Sequence, residues 1–243
     1  MQEIWALVLV VALFSAVQSL FGVGLLVFGT PTLLVLGYSF ESTIGILLPS
    51  SIAISAMQVV AGWGYVGQLK KSVFTHSVPL IAVGLMLVLS RAVAIDMTLL
   101  VGLMLVATAA IRYAEGIQRY LSGIAKRHLK GSLMAIGMVH GLSNMGGGLL
   151  TLLVTTLYDD KESIRANIAY GYLVFAVSQL IVLILVSPAQ VTVYSLLLPL
   201  IALATYRTIG TLIYLKASSA GYQRMITLFI LTYGVLLICQ ELI

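Results

Sequence analysis

Charge is scarce in this chain. Only 9% of its 243 residues are Asp, Glu, Lys or Arg, where a soluble domain carries about 25%. So few charges cannot clothe a water-facing surface, and lipid is the solvent that fits a chain that is 60% hydrophobic. Cysteine is nearly absent as well. Cys239 stands alone, which excludes an intrachain disulfide and any Cys-rich metal spacing, and no metal or cofactor is expected. No basic stripe with interleaved aromatics supports nucleic-acid binding, so the net charge of +5 reads as the Lys/Arg excess of cytoplasmic loops. Met1-Gln2-Glu3 lacks a basic n-region, and the apolar run from Ile4 outlasts an h-region, so the N-terminus reads as mature protein.

What is present is apolar sequence in long runs: roughly 4–36, 42–65, 74–90, 95–113, 131–157, 164–186, 191–215 and 225–240. The richest interruption, "RYAEGIQRYLSGIAKRHLK" from Arg112 to Lys130, divides the chain near its middle. This predicts a first membrane unit over 1–114, a cytoplasmic linker over 115–130 and a second membrane unit over 131–243. Short matches join the two units. Pro-Leu-Ile-Ala at Pro79 returns at Pro199, Glu41-Ser42 at Glu162-Ser163, Gln58 at Gln179, and Gly22-Val23-Gly24 at Gly146-Gly147-Gly148, with offsets of 120 to 124 residues. Their order argues for an internal repeat of four hydrophobic segments.

The charges bear on topology. If all eight segments cross fully, the thirteen Lys/Arg residues divide seven against six. If the first segment of each half instead breaks at its glycines and returns to the face it entered from, twelve of the thirteen gather on one side and only Arg91 lies opposite. The positive-inside rule favours the second arrangement. The expectation is therefore an all-α polytopic membrane protein of two inverted repeats, each of four segments with the first broken and re-entrant, and with both termini outside a bacterial or archaeal plasma membrane.

"HGLSNMGGGLLTLLV", His140 to Val154, carries the clearest such break. Glycine permits a turn. Unpaired N–H groups inside a membrane must face protein, water or a ligand rather than hydrocarbon, and a half-helix starting there aims its positive dipole end inward. An anion site follows; the competing reading is a close-packed Gly/Ala helix crossing. A nucleotide loop is excluded, since "SNMGGGLL" has neither the P-loop Lys-Ser/Thr nor Gly-x-Gly-x-x-Gly.

"FGVGLLVFGTPTLLVLGYSFESTIGILLPSSIAIS" (Phe21–Ser55), "HGLSNMGGGLLTLLV" and "YRTIGTLIYLKASSAGYQRMITLFILTYGVLLI" (Tyr206–Ile238) resemble the signatures of the TauE/SafE sulfite exporter family. The resemblance implies an inner-membrane protein that moves sulfite or organosulfur anions by ion-coupled secondary transport. The first turn departs from a full Gly triplet, and the second half has no counterpart of Pro31, which points to unequal half-sites.

Candidate substrate contacts are Ser19, Gly22, Gly24, Thr30, Ser50, Ser51 and Gln58 in the first half. In the second they are His140, Ser143, Asn144, Gly146, Gly147, Gly148, Thr151 and Gln179. Glycine N–H groups, hydroxyls and amides are the donors that replace an anion's hydration. Gln58 and Gln179 read equally as cavity-lining residues or as interhelical hydrogen bonders. His140 reads as a proton carrier or as a neutral histidine on a carbonyl. Arg207, within "LATYRTIGTL", attracts the anion or snorkels to the surface. Adjacent acids in "YDDKESIR" read as a solvated helix start. The function expected is secondary export of a small anion by alternating access, with a coupling proton or cation and the bilayer as partners. The alternatives are an anion channel or an importer of another anion. An intramembrane enzyme using Ser143 and His140 lacks a third orienting group.

Overall fold

The computed structural model describes residues 2–90, 96–210, 231–232 and 234–239. Their regular structure is all helical, and no strand occurs among them. Two helices open the chain, α1 (Gln2–Phe21) and α2 (Leu25–Val35), followed by α3 (Phe40–Ala61). Next come a four-residue α4 (Leu69–Ser72), a π-helical turn at Val73–Ser77 and α5 (Val78–Leu89). The remainder is α6 (Met97–Tyr113), α7 (Glu115–Arg127), α8 (Leu129–Ser143), α9 (Gly146–Leu157), α10 (Lys161–Val186) and α11 (Val193–Thr205), the last running into a π-helical turn at Tyr206–Gly210.

Local chemistry sets the helix ends. The Ser39 hydroxyl accepts from Ser42 N at 3.2 Å, the Asp96 carboxylate from Leu99 N at 2.8 Å and the Asp160 carboxylate from Ser163 N at 2.7 Å, opening α3, α6 and α10. The Asp160 carboxyl is held below its ordinary range by those Ser163 hydrogen bonds. Thr192 and Ser195 form a reciprocal capping box at α11. The π turn at Val73–Ser77 lies just before Pro79, which has no N–H to offer the carbonyl four residues back.

Among the described residues, four helices are long and apolar enough to cross a membrane: Ile4–Phe21, Phe40–Ala61, Leu69–Leu89 and Lys161–Val186. A fifth is counted if Met97–Ile111 and Gly116–Arg127, bent by 98°, make one span. The chain is thus a polytopic, helix-rich integral membrane protein. The expected two inverted repeats of four segments each are not found. The first predicted segment contains a full-length α1 plus an 11-residue α2, whereas its counterpart divides into 15 and 12 residues, so the two are not matching re-entrant pairs. The segment at 191–215 yields the shorter apolar helix Val193–Thr208. Hydropathy counts apolar residues and cannot see where a helix turns. The charge tally that rested on eight segments falls with them. Half of segment 225–240 lies outside the described residues, and Arg91, Lys216 and Arg224 lie outside them altogether.

Polar side chains are buried alongside the apolar core, while large apolar ones reach the surface. Apolar Trp5, Leu9, Leu185 and Leu196 are exposed, while Gln18, Ser19, Ser51, His140 and Gln179 are fully buried. At the centre α3 packs along α10, and both touch the short helices α2 and α9 through one or the other. Beside them α5 crosses α8 at backbone contact. A Cβ at Gly137 would lie 2.8 Å from Ser77 Cα, and one at Gly141 3.0 Å from Ile81 Cα. Gly137-x-x-x-Gly141 is therefore a small-residue crossing, and it fixes the helix that carries His140.

Candidate functional site

The first break separates α1 from α2. Gly22 turns the chain at φ 74°, and its N–H donates to Gln18 O at 2.8 Å. The Gln18 side chain then closes the gap. Its Oε1 accepts from Leu25 N at 3.1 Å, in the first turn of α2, while its Nε2 donates to Ser51 O at 3.2 Å and Ser55 Oγ at 3.0 Å. The carbonyls at the end of α1 are met from two other helices. Gln58 Nε2 donates to Gln18 O at 2.8 Å and Ser19 O at 3.2 Å, and Arg165 Nη2 donates to Ser19 O at 2.8 Å. This is how a membrane interior tolerates an interrupted helix: neighbouring side chains meet the freed backbone groups.

The second break separates α8 from α9. Asn144 makes the left-handed turn at φ 63°, and its N–H donates to His140 O at 2.8 Å. Gln179 Nε2 donates to the same carbonyl at 3.1 Å. Ser143 Oγ donates to Val139 O at 2.7 Å and accepts from Met145 N at 3.3 Å. Helix α9 then begins on Gly146, Gly147 and Gly148. The middle glycine is dictated by space, because a Cβ at Gly147 would overlap the Tyr172 ring.

The two breaks meet. Asn144 Nδ2 donates to Thr30 Oγ1 of α2 at 2.8 Å. Tyr172 of α10 stands between the short helices, against Gly147 on one side; on the other its hydroxyl points at the Val27 backbone without closing a hydrogen bond. The His140 ring lies beside the Gln179 side chain, with ring centroids 4.7 Å from Phe175 and 6.1 Å from Tyr172. Both His140 ring nitrogens, the Tyr172 hydroxyl, Asn144 Oδ1 and Gln179 Oε1 have no hydrogen-bond partner among the described residues. All four side chains are fully buried. Such groups are rare in proteins because each costs about 1–3 kcal/mol. They gather where the second break meets α2 and α10.

Of the predicted contacts, Thr30, His140, Asn144, Gly147 and Gln179 come together here. Gly146 packs on His140 and on the Ile136 carbonyl, and Gly148 packs on Thr108. Thr151 Oγ1 donates to Gly147 O at 2.9 Å. Ser19, Gly22, Gly24, Ser51 and Gln58 belong to the first break, where Ser19 Oγ donates to Ser15 O and Gly24 packs on the Gln18 backbone. Ser50 is buried with its hydroxyl unpartnered among the described residues. Arg207 is exposed on the π turn beyond α11 and joins no hydrogen bond of the cluster. The Ser143 hydroxyl is directed at a backbone carbonyl rather than at His140.

Two central residues were missed from sequence. Gln18, in "SAVQSL", carries the same signal as Gln58 and Gln179, a lone amide in an apolar run. Tyr172 carries none, since an aromatic in a membrane helix reads as packing. No group of three or more His, Cys, Asp or Glu is arranged to hold a metal among the described residues. No family model, no curated protein and no solved structure matches the chain.

Proposed function

We propose that the chain is a secondary transporter of a small anion, with its site where the two breaks meet. One observation carries the reading: buried, unpartnered polar groups on His140, Asn144, Tyr172 and Gln179 surround the starts of α2 and α9. Helix N-termini supply N–H donors and a positive potential, and short helices pointing into a polar centre are how secondary transporters hold anionic substrates. The resemblance of the Gly-rich stretches to TauE/SafE exporters favours sulfite or an organosulfonate. His140 is our candidate for proton coupling. We place Lys70, Lys71 and the basic residues of α7 on the cytoplasmic face by the positive-inside rule.

The test is flux in sealed liposomes containing the purified chain, offered sulfite, thiosulfate, sulfonates and carboxylates, with and without an imposed pH gradient. We expect saturable uptake of a sulfur oxyanion that follows the gradient. Flux that never saturates would point to a channel. No flux of any anion in the panel would refute the proposal.

A further inference from the structure

Away from the breaks, α7 leaves α6 at 98° and presents two unlike surfaces. Ile117, Tyr120 and Ile124, spaced i, i+3, i+7 along one stripe, are exposed. On another side the helix forms one wall of a groove of about 570 Å³, with Arg119 and Lys126 on that wall and Thr155, Thr156 and Asp159 across from them. Arg119 and Lys126 are two turns apart on the same face, a rise of about 10.5 Å. The opposite wall is the last part of the apolar α9, which ends at Leu157. The groove therefore lies at the boundary between apolar and polar sequence.

We infer that this groove holds the headgroup of an anionic glycerophospholipid, with a phosphodiester between Arg119 and Lys126. Guanidinium and ammonium groups supply charge-assisted donors to phosphate oxygens. The opposite wall is suited to donors instead. Thr155 Oγ1 and Thr156 Oγ1 already donate to carbonyls of their own helix, so they and the Asp159 carboxylate accept, which matches the hydroxyls of a glycerol headgroup. An inorganic phosphate leaves that wall unused. The exposed Ile117, Tyr120 and Ile124 are the kind of apolar stripe that lies among acyl chains when a helix rests in the interface. Arg127 and Lys130, just beyond, add attraction to an anionic surface.

The experiment is native mass spectrometry of the full-length detergent-purified protein with phosphatidylglycerol or phosphatidylcholine, paired with thermal unfolding in the presence of phosphatidylglycerol or inorganic phosphate. We expect retained phosphatidylglycerol adducts, little phosphatidylcholine, and a rise in Tm with phosphatidylglycerol alone. R119Q/K126Q lowers adduct retention at least fivefold, whereas R127Q/K130Q, outside the groove, loses less than twofold. Gly123 lines the groove, and a Cβ added there would meet nothing within 4 Å. G123L therefore puts a side chain where a Cβ meets no neighbour, keeps both charges and also loses the lipid. Equal retention by wild type, R119Q/K126Q and G123L would overturn the inference. So would equal retention of the two lipids, or an equal Tm rise with inorganic phosphate.

Discussion

At the first break the Gln18 side chain bonds Leu25 N, Ser51 O and Ser55 Oγ. At the second, His140 holds the matching place and bonds nothing through its ring among the described residues. Each residue stands four before a left-handed turn, at Gly22 or Asn144, and offers its carbonyl both to that turn's N–H and to a glutamine of a long helix, Gln58 or Gln179. The backbone problem is thus met the same way twice, while the side chains differ. The first break is closed by Gln18 and reads as a structural clasp, with Gln58 Oε1 left without a partner among the described residues. At the second, His140, Asn144, Tyr172 and Gln179 all carry unpartnered atoms among the described residues. Stability and ligand binding are accordingly expected to separate between two local geometries that otherwise correspond.

The strongest way to break this comparison is at the second site. G147L drives a side chain into the Tyr172 ring and is expected to reduce anion flux in liposomes to background, with the protein still recovered from the membrane fraction. H140L is expected to lower flux at least tenfold while leaving the unfolding midpoint at or above wild type, because it removes two buried nitrogens that have no partner. A fall in midpoint with flux intact would reverse the assignment. Gln18 gives the opposite result. Q18L strands Leu25 N and is expected to cost about 1–3 kcal/mol in denaturant-monitored unfolding. Q58M and Q179M sharpen the contrast at smaller scale. Interhelical hydrogen bonds in membranes average about 0.6 kcal/mol, and Gln58 donates to two carbonyls where Gln179 donates to one, so Q58M is expected to be the more destabilising. The smallest effect belongs to R207Q, which should leave flux within twofold, since Arg207 is exposed.

Much of this was legible in residue chemistry. Low charge and long apolar runs identify the membrane, and the Gly-rich interruptions at Gly22 and Gly146–Gly148 locate both breaks. Gln58 and Gln179 declare themselves because a buried amide needs partners. The register between the breaks was misread. Glycine identity paired Gly22 with Gly146, whereas the left-handed turn of the second break is made by Asn144, a residue type enriched at positive φ. The repeat of four segments failed for a related reason: composition does not record that α1 is nearly twice the length of α2. Tyr172 was unreadable because its role depends on the empty Cβ position of Gly147, a relation between two helices.

The crossing of α5 and α8 limits how these two helices can slide. Where Gly137 and Gly141 rest on the backbone of Ser77 and Ile81, no side chains interdigitate to swap rotamers, and any slippage sets main chain against main chain. Sliding of α5 on α8 is therefore costly, and the helix that carries His140 is held by its neighbour. Across the breaks, the Asn144–Thr30 hydrogen bond ties α2 to the second break, so displacing either short helix breaks that bond or carries the other along.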